Sequence, residues 1–316
     1  MYNQVMKLMI QIPAYNEEDN IQKVLEGIDK NISGVNEVFV LLIDDGSNDN
    51  TSLIAQQFSV DKIIKLNKNL GLSNAFMVGI KEAIEQKADI LVNIDGDNQY
   101  KMSEIPKLIE PIIRKRADIV VGCRPIDKIK SFSLIKKILQ KFGTFVVKNI
   151  SGVNVKDAAS GFRAYSREAI LKMNIFNPFT YTVESIIQAG SKNIKVENVD
   201  IEVNEQKNRK SKLFKNNLDY ILKQAKNTLR FFIIYKPAKF FATSATFFLI
   251  FGLLIGARFL FYYFTQNGSG HIQSLILCAI VLILSFICYM LAILGDLAQI
   301  NRKLLEDIQY ELRQKK

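Results

Sequence analysis

Between Leu8 and Gly122 five apolar runs of strand length alternate with four segments of helical period, and nothing else restricts the possible folds as much. Leu8–Pro13, Val38–Ile43, Lys62–Leu66, Asp89–Ile94 and Asp118–Gly122 are expected as short buried strands. Glu17–Lys30, Asn48–Phe58, Leu72–Gln86 and Glu104–Lys115 carry Ile, Leu, Val and Ala at helical spacing. Strand and helix in strict alternation demand an α/β fold, a Rossmann-like, mostly parallel sheet with right-handed crossovers. Ligands of such sheets bind beyond the carboxyl ends of the strands. The polar punctuation falls there: Ala14-Tyr15-Asn16-Glu17, Asp44-Asp45-Gly46-Ser47, Asn67 to Gly71, and Asp95 to Gln99. Ser47 or Asn48 and Ser103 are accounted for as helix caps, but capping does not call for doubled acids after two different strands.

The fourth cluster is the most informative. In Ile90 to Gln99 an apolar strand ends in two carboxylates two residues apart, Asp95 and Asp97, with the Gln99 amide two further on. The alternation of an extended chain aims such groups to one side. Mg²⁺ or Mn²⁺ takes one or two carboxylates from a protein and fills its shell with water and phosphate oxygens, so Asp95, Asp97 and Gln99 are the expected metal ligands.

The chain is 48% hydrophobic, and its apolar residues are unevenly spread. No charged residue occurs from Phe240 to Ala257 or from Ile272 to Gly295. Neither stretch has a polar face, so both are expected to cross a bilayer as helices. No signal peptide precedes Lys7, and residues 1 to about 235 are expected in the cytoplasm. The net charge of +11 is local in origin: residues 128–150 hold six lysines and no acid, and residues 206–240 hold ten basic residues against Asp219 alone. These segments lie towards the first span, where anionic headgroups attract them, so lipid rather than nucleic acid is the expected partner. The loop Thr265 to Gly270 is uncharged, while Arg302, Lys303, Arg313, Lys315 and Lys316 follow the second span. The positive-inside rule then puts both termini in the cytoplasm. Ile129, Phe132, Ile135, Ile138, Leu139, Phe142 and Val146 recur against the lysines, as in an amphipathic helix lying in the interface over about 128–150. Gly252 and Gly256 favour close helix association, within the chain or between copies, and a homo-oligomer is expected. Cys123, Cys278 and Cys288 form no disulfide or metal pattern.

Taken together, Ile12-Pro13-Ala14-Tyr15-Asn16-Glu17-Glu18, Asp44-Asp45-Gly46-Ser47-Asn48-Asp49-Asn50-Thr51, Asp95-Gly96-Asp97 and Asp157-Ala158-Ala159-Ser160-Gly161-Phe162-Arg163 resemble family 2 glycosyltransferases of GT-A fold. Within these the resemblance is to the polyprenyl-phosphate branch, which includes dolichol-phosphate mannose synthases and bactoprenol glucosyltransferases. It covers residues 7 to about 215 by motif and the tail by its two-span layout. It implies a cytoplasmic GT-A domain over 1–205, a basic juxtamembrane segment over 206–236, and a transmembrane hairpin with a cytoplasmic tail over 237–316.

The resemblance implies an inverting hexosyltransferase of the bacterial cytoplasmic membrane. Pro13, Tyr15, Glu17, Asp45 and Asp95 would hold the nucleotide sugar, and Asp157 would be the general base, or else orient the acceptor or a cation. Arg124, Lys136, Lys137, Arg209 and Lys212 would bind the lipid phosphate; around Arg209 the family's glycine is missing and the loop is shortened. UDP-glucose and undecaprenyl phosphate are the first expected substrates, because the two-span tail is typical of the bacterial glucosyltransferase group; GDP-mannose with a dolichol or polyprenyl phosphate is second. The absence of tryptophan and the presence of only two spans argue against a processive polysaccharide synthase. An Asp-x-Asp phosphatase would need its motif on the first strand, where Ala14-Tyr15-Asn16-Glu17 stands. An inactive membrane scaffold would have no use for Asp45, Asp97 and Asp157.

Overall fold

The computed structural model describes residues 5–129, 134–176, 180–204, 226, 229–266 and 271–315. Two compact units are present: residues 1–225 together with 310–316, and residues 226–309.

The first unit is built on a seven-stranded sheet of order β3-β2-β1-β4-β6-β5-β7. Its strands are β1 (Lys7–Ala14), β2 (Glu37–Asp44), β3 (Lys62–Lys65), β4 (Ile90–Asn93), β5 (Ile119–Cys123), β6 (Arg163–Ser166) and β7 (Val196–Asp200). The helices around it are α1 (Glu18–Glu26), α2 (Thr51–Ala55), α3 (Leu72–Glu85), α4 (Ile105–Ile113), α5 (Leu134–Ser151), α6 (Arg167–Lys172) and α7 (Tyr181–Ser191). β1 is central and buried on both faces: Leu8, Met9, Ile10 and Ile12 are each 0% exposed, which is why it reads as a hydrophobic run interrupted only by Gln11. It pairs in parallel with β2 on one side and β4 on the other, so the strand order reverses beside it. That reversal opens a crevice above the carboxyl ends of β1, β2 and β4.

All five expected strands are present within a residue or so of their expected ends. The expected helices at Glu17–Lys30 and Asn48–Phe58 are shorter, ending at Glu26 and confined to Thr51–Ala55. Ser47 does not cap a helix: its Oγ accepts the Asn16 N–H (2.9 Å), and Asn16 Oδ1 accepts the Asn48 N–H (2.9 Å), tying the loops after β1 and β2 together. β6 is antiparallel and lies between β4 and β5.

α5 packs one side of itself inward through Val147 and Ile150, which are 1% and 8% exposed. Its opposite side presents Ile138, Phe142 and Phe145, each about 60% exposed, at helical spacing.

The second unit holds α8 (Pro237–Gln266) and most of α9 (Ile272–Gln314), both long and apolar enough to cross a membrane. The turn of α9 from Tyr310 onward groups with the first unit instead, where the Tyr310 hydroxyl donates to Glu168 (2.7 Å) and Arg313 donates to the carbonyls of Leu171 and Met173 (2.9 Å each). Phe247, Leu254, Phe264, Phe286 and Ile293 are among many apolar side chains that α8 and α9 leave more than half exposed, a surface suited to lipid and not to water. Gly252 and Gly256 serve the packing of α8 on α9. A Cβ on Gly252 would come within 2.8 Å of Leu282, and one on Gly256 within 3.1 Å of Cys278 Sγ. Ser285 Oγ donates to Ala245 O (2.8 Å) and Cys278 Sγ to Gly252 O (3.2 Å), bonds that helices make when apolar packing alone gives little preference for a partner. Arg258 lies over the Tyr262 ring, 5.7 Å from its centre.

Candidate active site

Register brings the four polar clusters to one edge. Ala14 pairs with Asp44 at the ends of β1 and β2, and Gln11 pairs with Asn93 at the end of β4. The next residues continue the ladder: Asp45 N–H donates to Ala14 O (2.9 Å), Ile94 N–H to Gln11 O (3.0 Å) and Gly96 N–H to Pro13 O (3.3 Å). Tyr15 and Asp45 therefore leave the same rung, and Asp95 stands level with Pro13 two residues earlier.

On the β1–β2 side Pro13 is buried and Tyr15 is 37% exposed. Glu17 is 7% exposed; its N–H donates to Thr51 Oγ1 (2.9 Å) and its Oε2 accepts from Asn20 Nδ2 (2.8 Å). The paired acids after β2 have different surroundings. Asp44 accepts the Ser47 N–H (2.7 Å) and the Ser52 hydroxyl and is wholly internal. Asp45 accepts the backbone N–H groups of Leu70 (2.8 Å) and Gly71 (2.9 Å), which fixes the loop that begins α3. Burial raises the Asp45 pKa above the ordinary carboxylate value, against the opposing pull of those two N–H groups. Gly46, at φ +74°, lies against the Lys68–Asn69 backbone, where a Cβ would come within 2.5 Å of the Lys68 carbonyl carbon.

On the β4 side the turn from Asp95 to Gln99 holds the two expected metal carboxylates. Asp97 Oδ1 accepts the Gln99 N–H (3.0 Å), and Asn98 adopts the left-handed conformation at φ 56°. Asp95 faces Gly161, where a Cβ would stand 2.5 Å from its Oδ2. Only glycine lets the loop after residue 157 come so close to this carboxylate. Two hard oxygen donors at a strand end suit Mg²⁺ or Mn²⁺, which take few protein ligands. Among the described residues no group of three or more His, Cys, Asp or Glu is gathered for a metal. The Gln99 side-chain oxygen accepts from Arg124 Nη1 (3.4 Å).

Arg124, just after β5, forms a bidentate pair with Asp157: Nε to Oδ2 at 2.8 Å and Nη2 to Oδ1 at 3.0 Å. Their side chains are 6% and 1% exposed. The sequence suggested separate tasks for these residues, a phosphate clamp and a base, and the fold joins them. Tyr100, 1% exposed, accepts the Gly161 N–H (3.0 Å) in the loop that carries Asp157. Burial pushes its hydroxyl up to about 12, so it stays protonated at neutral pH.

Two buried supports were not legible as site residues. Asn93 donates to Gly161 O (2.9 Å) and the Tyr181 hydroxyl (2.7 Å), and accepts from Gln11 (2.7 Å). Arg163 is 0% exposed and donates to Ser160 O (2.9 Å), Thr182 O (2.6 Å), Ser185 Oγ (2.6 Å) and Ala158 O (2.8 Å), holding the 157–162 loop onto α7. Asn93 showed only as a polar residue inside an expected strand, and Arg163 only as the last residue of the motif that begins at Asp157. Of the remaining basic candidates, Lys137 donates to Asp127 O (2.8 Å). The side chain of Lys136, and Arg209 and Lys212 entirely, lie outside the described residues.

Residues 9–173 match the glycosyl transferase family 2 domain. The chain is 33% identical over 177 residues to the UDP-N-acetylglucosamine–dolichyl-phosphate N-acetylglucosaminyltransferase of Methanococcus voltae, covering 50% of this chain and 69% of that one. It is 33% identical over 186 residues to the dolichol-phosphate mannosyltransferase of Pyrococcus furiosus, covering 56% of this chain and only 51% of that protein, about half its length. It is 28% identical over 177 residues to the undecaprenyl-phosphate mannosyltransferase of Micrococcus luteus, covering 54% and 70%. In fold it is similar to glucosyl-3-phosphoglycerate synthase from Mycobacterium tuberculosis, solved with Mn²⁺ and UDP, at TM-score 0.54 and 18% identity over 73% of this chain and 80% of that one. By its GT-A-like sheet, its ordered motifs and this match over half its length, the chain belongs to glycosyl transferase family 2 and is a glycosyltransferase.

Proposed function

We propose that this enzyme transfers one hexose from a nucleoside-diphosphate sugar to a membrane polyprenyl phosphate, with inversion at the sugar carbon. The observation that carries the reading is one edge holding two kinds of charge. Asp95 and Asp97 follow β4, Arg124 follows β5 and is paired with the buried Asp157 from the loop before β6, and Gln99 touches Arg124. A bound Mg²⁺ or Mn²⁺ would supply neutralisation of the diphosphate as it departs. Pro13, Tyr15, Glu17 and Asp45 line the nucleoside side, with Tyr15 offering its exposed ring to the base. A phosphate oxygen of the acceptor bonds to the sugar C1 while the C1–O bond to the diphosphate breaks and its electron pair leaves with that oxygen. The second pKa of a phosphate monoester is about 6, so at neutral pH the nucleophile carries little proton to remove. Arg124 offsets the repulsion between acceptor phosphate and donor diphosphate, and Asp157 holds that guanidinium in place.

The relatives named for dolichyl and undecaprenyl phosphate support the acceptor class. UDP-glucose is the first donor to test and GDP-mannose the second, the latter favoured by the relatives named as mannosyltransferases. Purified enzyme given undecaprenyl phosphate and a panel of labelled nucleotide sugars is expected to move label from one donor into lipid. Label that enters only water-soluble acceptors would defeat the reading.

The same proposal has the enzyme working at the cytoplasmic face of a membrane. The exposed Ile138, Phe142 and Phe145 of α5 would lie in the interface among the lysines of that helix. A cysteine at His271 should then react with an impermeant maleimide in intact cells, and one at Lys315 only after permeabilisation. The converse pattern would invert the orientation.

A further inference from the structure

Resting on the reading that the turn after β4 holds a divalent ion, we propose that Asn204 is the positioning residue that sets the geometry of that turn. After β7 the chain runs back along the turn, forming an antiparallel bridge between Val203 and Tyr100. Asn204 N–H donates to Gln99 O at 2.9 Å. Its side-chain amide nitrogen lies 3.1 Å from Asn98 O, 3.2 Å from Asn98 Oδ1 and 3.3 Å from Tyr100 O. One residue thus grips three consecutive residues of the turn from 106 positions away.

The turn needs such a grip. Asn98 sits at φ 56°, a left-handed conformation that asparagine adopts more readily than most residues, but its carbonyl and side-chain oxygen still need donors there. The carbonyls of Asn98 and Tyr100 and the Asn98 side-chain oxygen converge on one point, which only a donor with more than one N–H can satisfy. The amide of asparagine is such a donor. Holding Asn98 O and Gln99 O fixes both peptide groups that flank Gln99, and the Gln99 N–H is the donor that orients Asp97 Oδ1 at 3.0 Å. Asn204 thereby acts on the metal carboxylate through one intervening peptide. The neighbouring Lys101–Glu202 ion pair belongs to the same return strand but is exposed and touches none of these oxygens.

The ion-binding role predicts a loss that general loosening does not. Mn²⁺ binding to the full-length protein with UDP present is followed by the paramagnetic resonance of free and bound Mn²⁺. Asn204→Ala is expected to weaken Mn²⁺ about tenfold or more, the range seen when outer partners of metal ligands are removed. Asn204→Ser, which keeps one donor, should fall between it and the wild type. UDP affinity in EDTA should stay unchanged, the unfolding temperature of the metal-free protein should fall by only about 2–4 °C, as for a lost hydrogen bond, and Lys101→Ala should leave Mn²⁺ affinity intact.

Mn²⁺ affinity within twofold of wild type in both Asn204 variants would overturn the proposal. So would an equal loss in Lys101→Ala, or unfolding of both Asn204 variants, either of which would make the contact merely structural. A wild type that binds no Mn²⁺ with UDP would instead defeat the metal reading beneath it.

Discussion

Asp97→Ala is expected to lower sugar transfer about a thousandfold, corresponding to roughly 4 kcal/mol of transition-state stabilisation, while leaving the protein folded. Asp97 is part-exposed in a turn, and its bond to the Gln99 N–H is of the local kind whose loss costs about 1 kcal/mol. Asp44→Ala is the informative contrast. That carboxylate is 0% exposed and holds Ser47 and Ser52, so its removal should lower stability by about 1–3 kcal/mol through the groups left unpaired. Initial rates across an Mn²⁺ titration, with thermal unfolding of the same samples, separate the two effects. Full wild-type activity in excess chelator, or an Asp97→Ala enzyme as active as its parent, would take the turn after β4 out of the mechanism.

The parts of this fold that were legible from sequence are those governed by period. β1, β2 and β4 are buried on both faces and so appear as apolar runs, broken only by Gln11 in β1 and Asn93 at the end of β4, and their ends coincide with the polar clusters. β6 was not legible because Arg163-Ala164-Tyr165-Ser166 has no apolar run; its arginine is tolerated at 0% exposure only because four acceptors from the 157–162 loop and α7 surround it. Nor does a sequence distinguish Asp44 from Asp45, since adjacent residues on a strand point to opposite faces and only packing decides which faces Ser52. Asn204 illustrates the same limit: it lies beyond the matched family segment, and nothing periodic connects it to Asn98. The Asp95–Asp97 pair was legible because both acids lie within one turn, and Gly252 with Gly256 because both lie on one helix face.

The Arg124–Asp157 pair is expected to behave as one unit, and its loss carries the second large effect. Both oxygens of Asp157 accept from the guanidinium, and its Oδ1 also takes the Ala159 N–H (3.2 Å). A carboxylate so committed must break a charge-assisted bond before it can take a proton from the acceptor, whose own ionisation makes that transfer unnecessary near pH 7. Arg124→Ala and Asp157→Asn should each lower turnover by about a hundredfold or more, and the double variant by little more than the worse single one, as for residues that work together. Arg124→Ala should also destabilise the fold by about 3–5 kcal/mol, because it leaves Asp157 buried without its counter-charge. UDP affinity should change little in Asp157→Asn, because the proposed partner of the Arg124–Asp157 pair is the acceptor phosphate. The ratio of wild-type to Asp157→Asn turnover, measured at saturating substrates from pH ~5.5 to ~8.5, distinguishes positioning from base catalysis. Positioning predicts a flat ratio across the range, since the ionisation of the phosphate is not what has been damaged. A ratio that shrinks steeply above pH ~6, as the acceptor sheds its second proton unaided, would instead make Asp157 the base and reduce Arg124 to its holder.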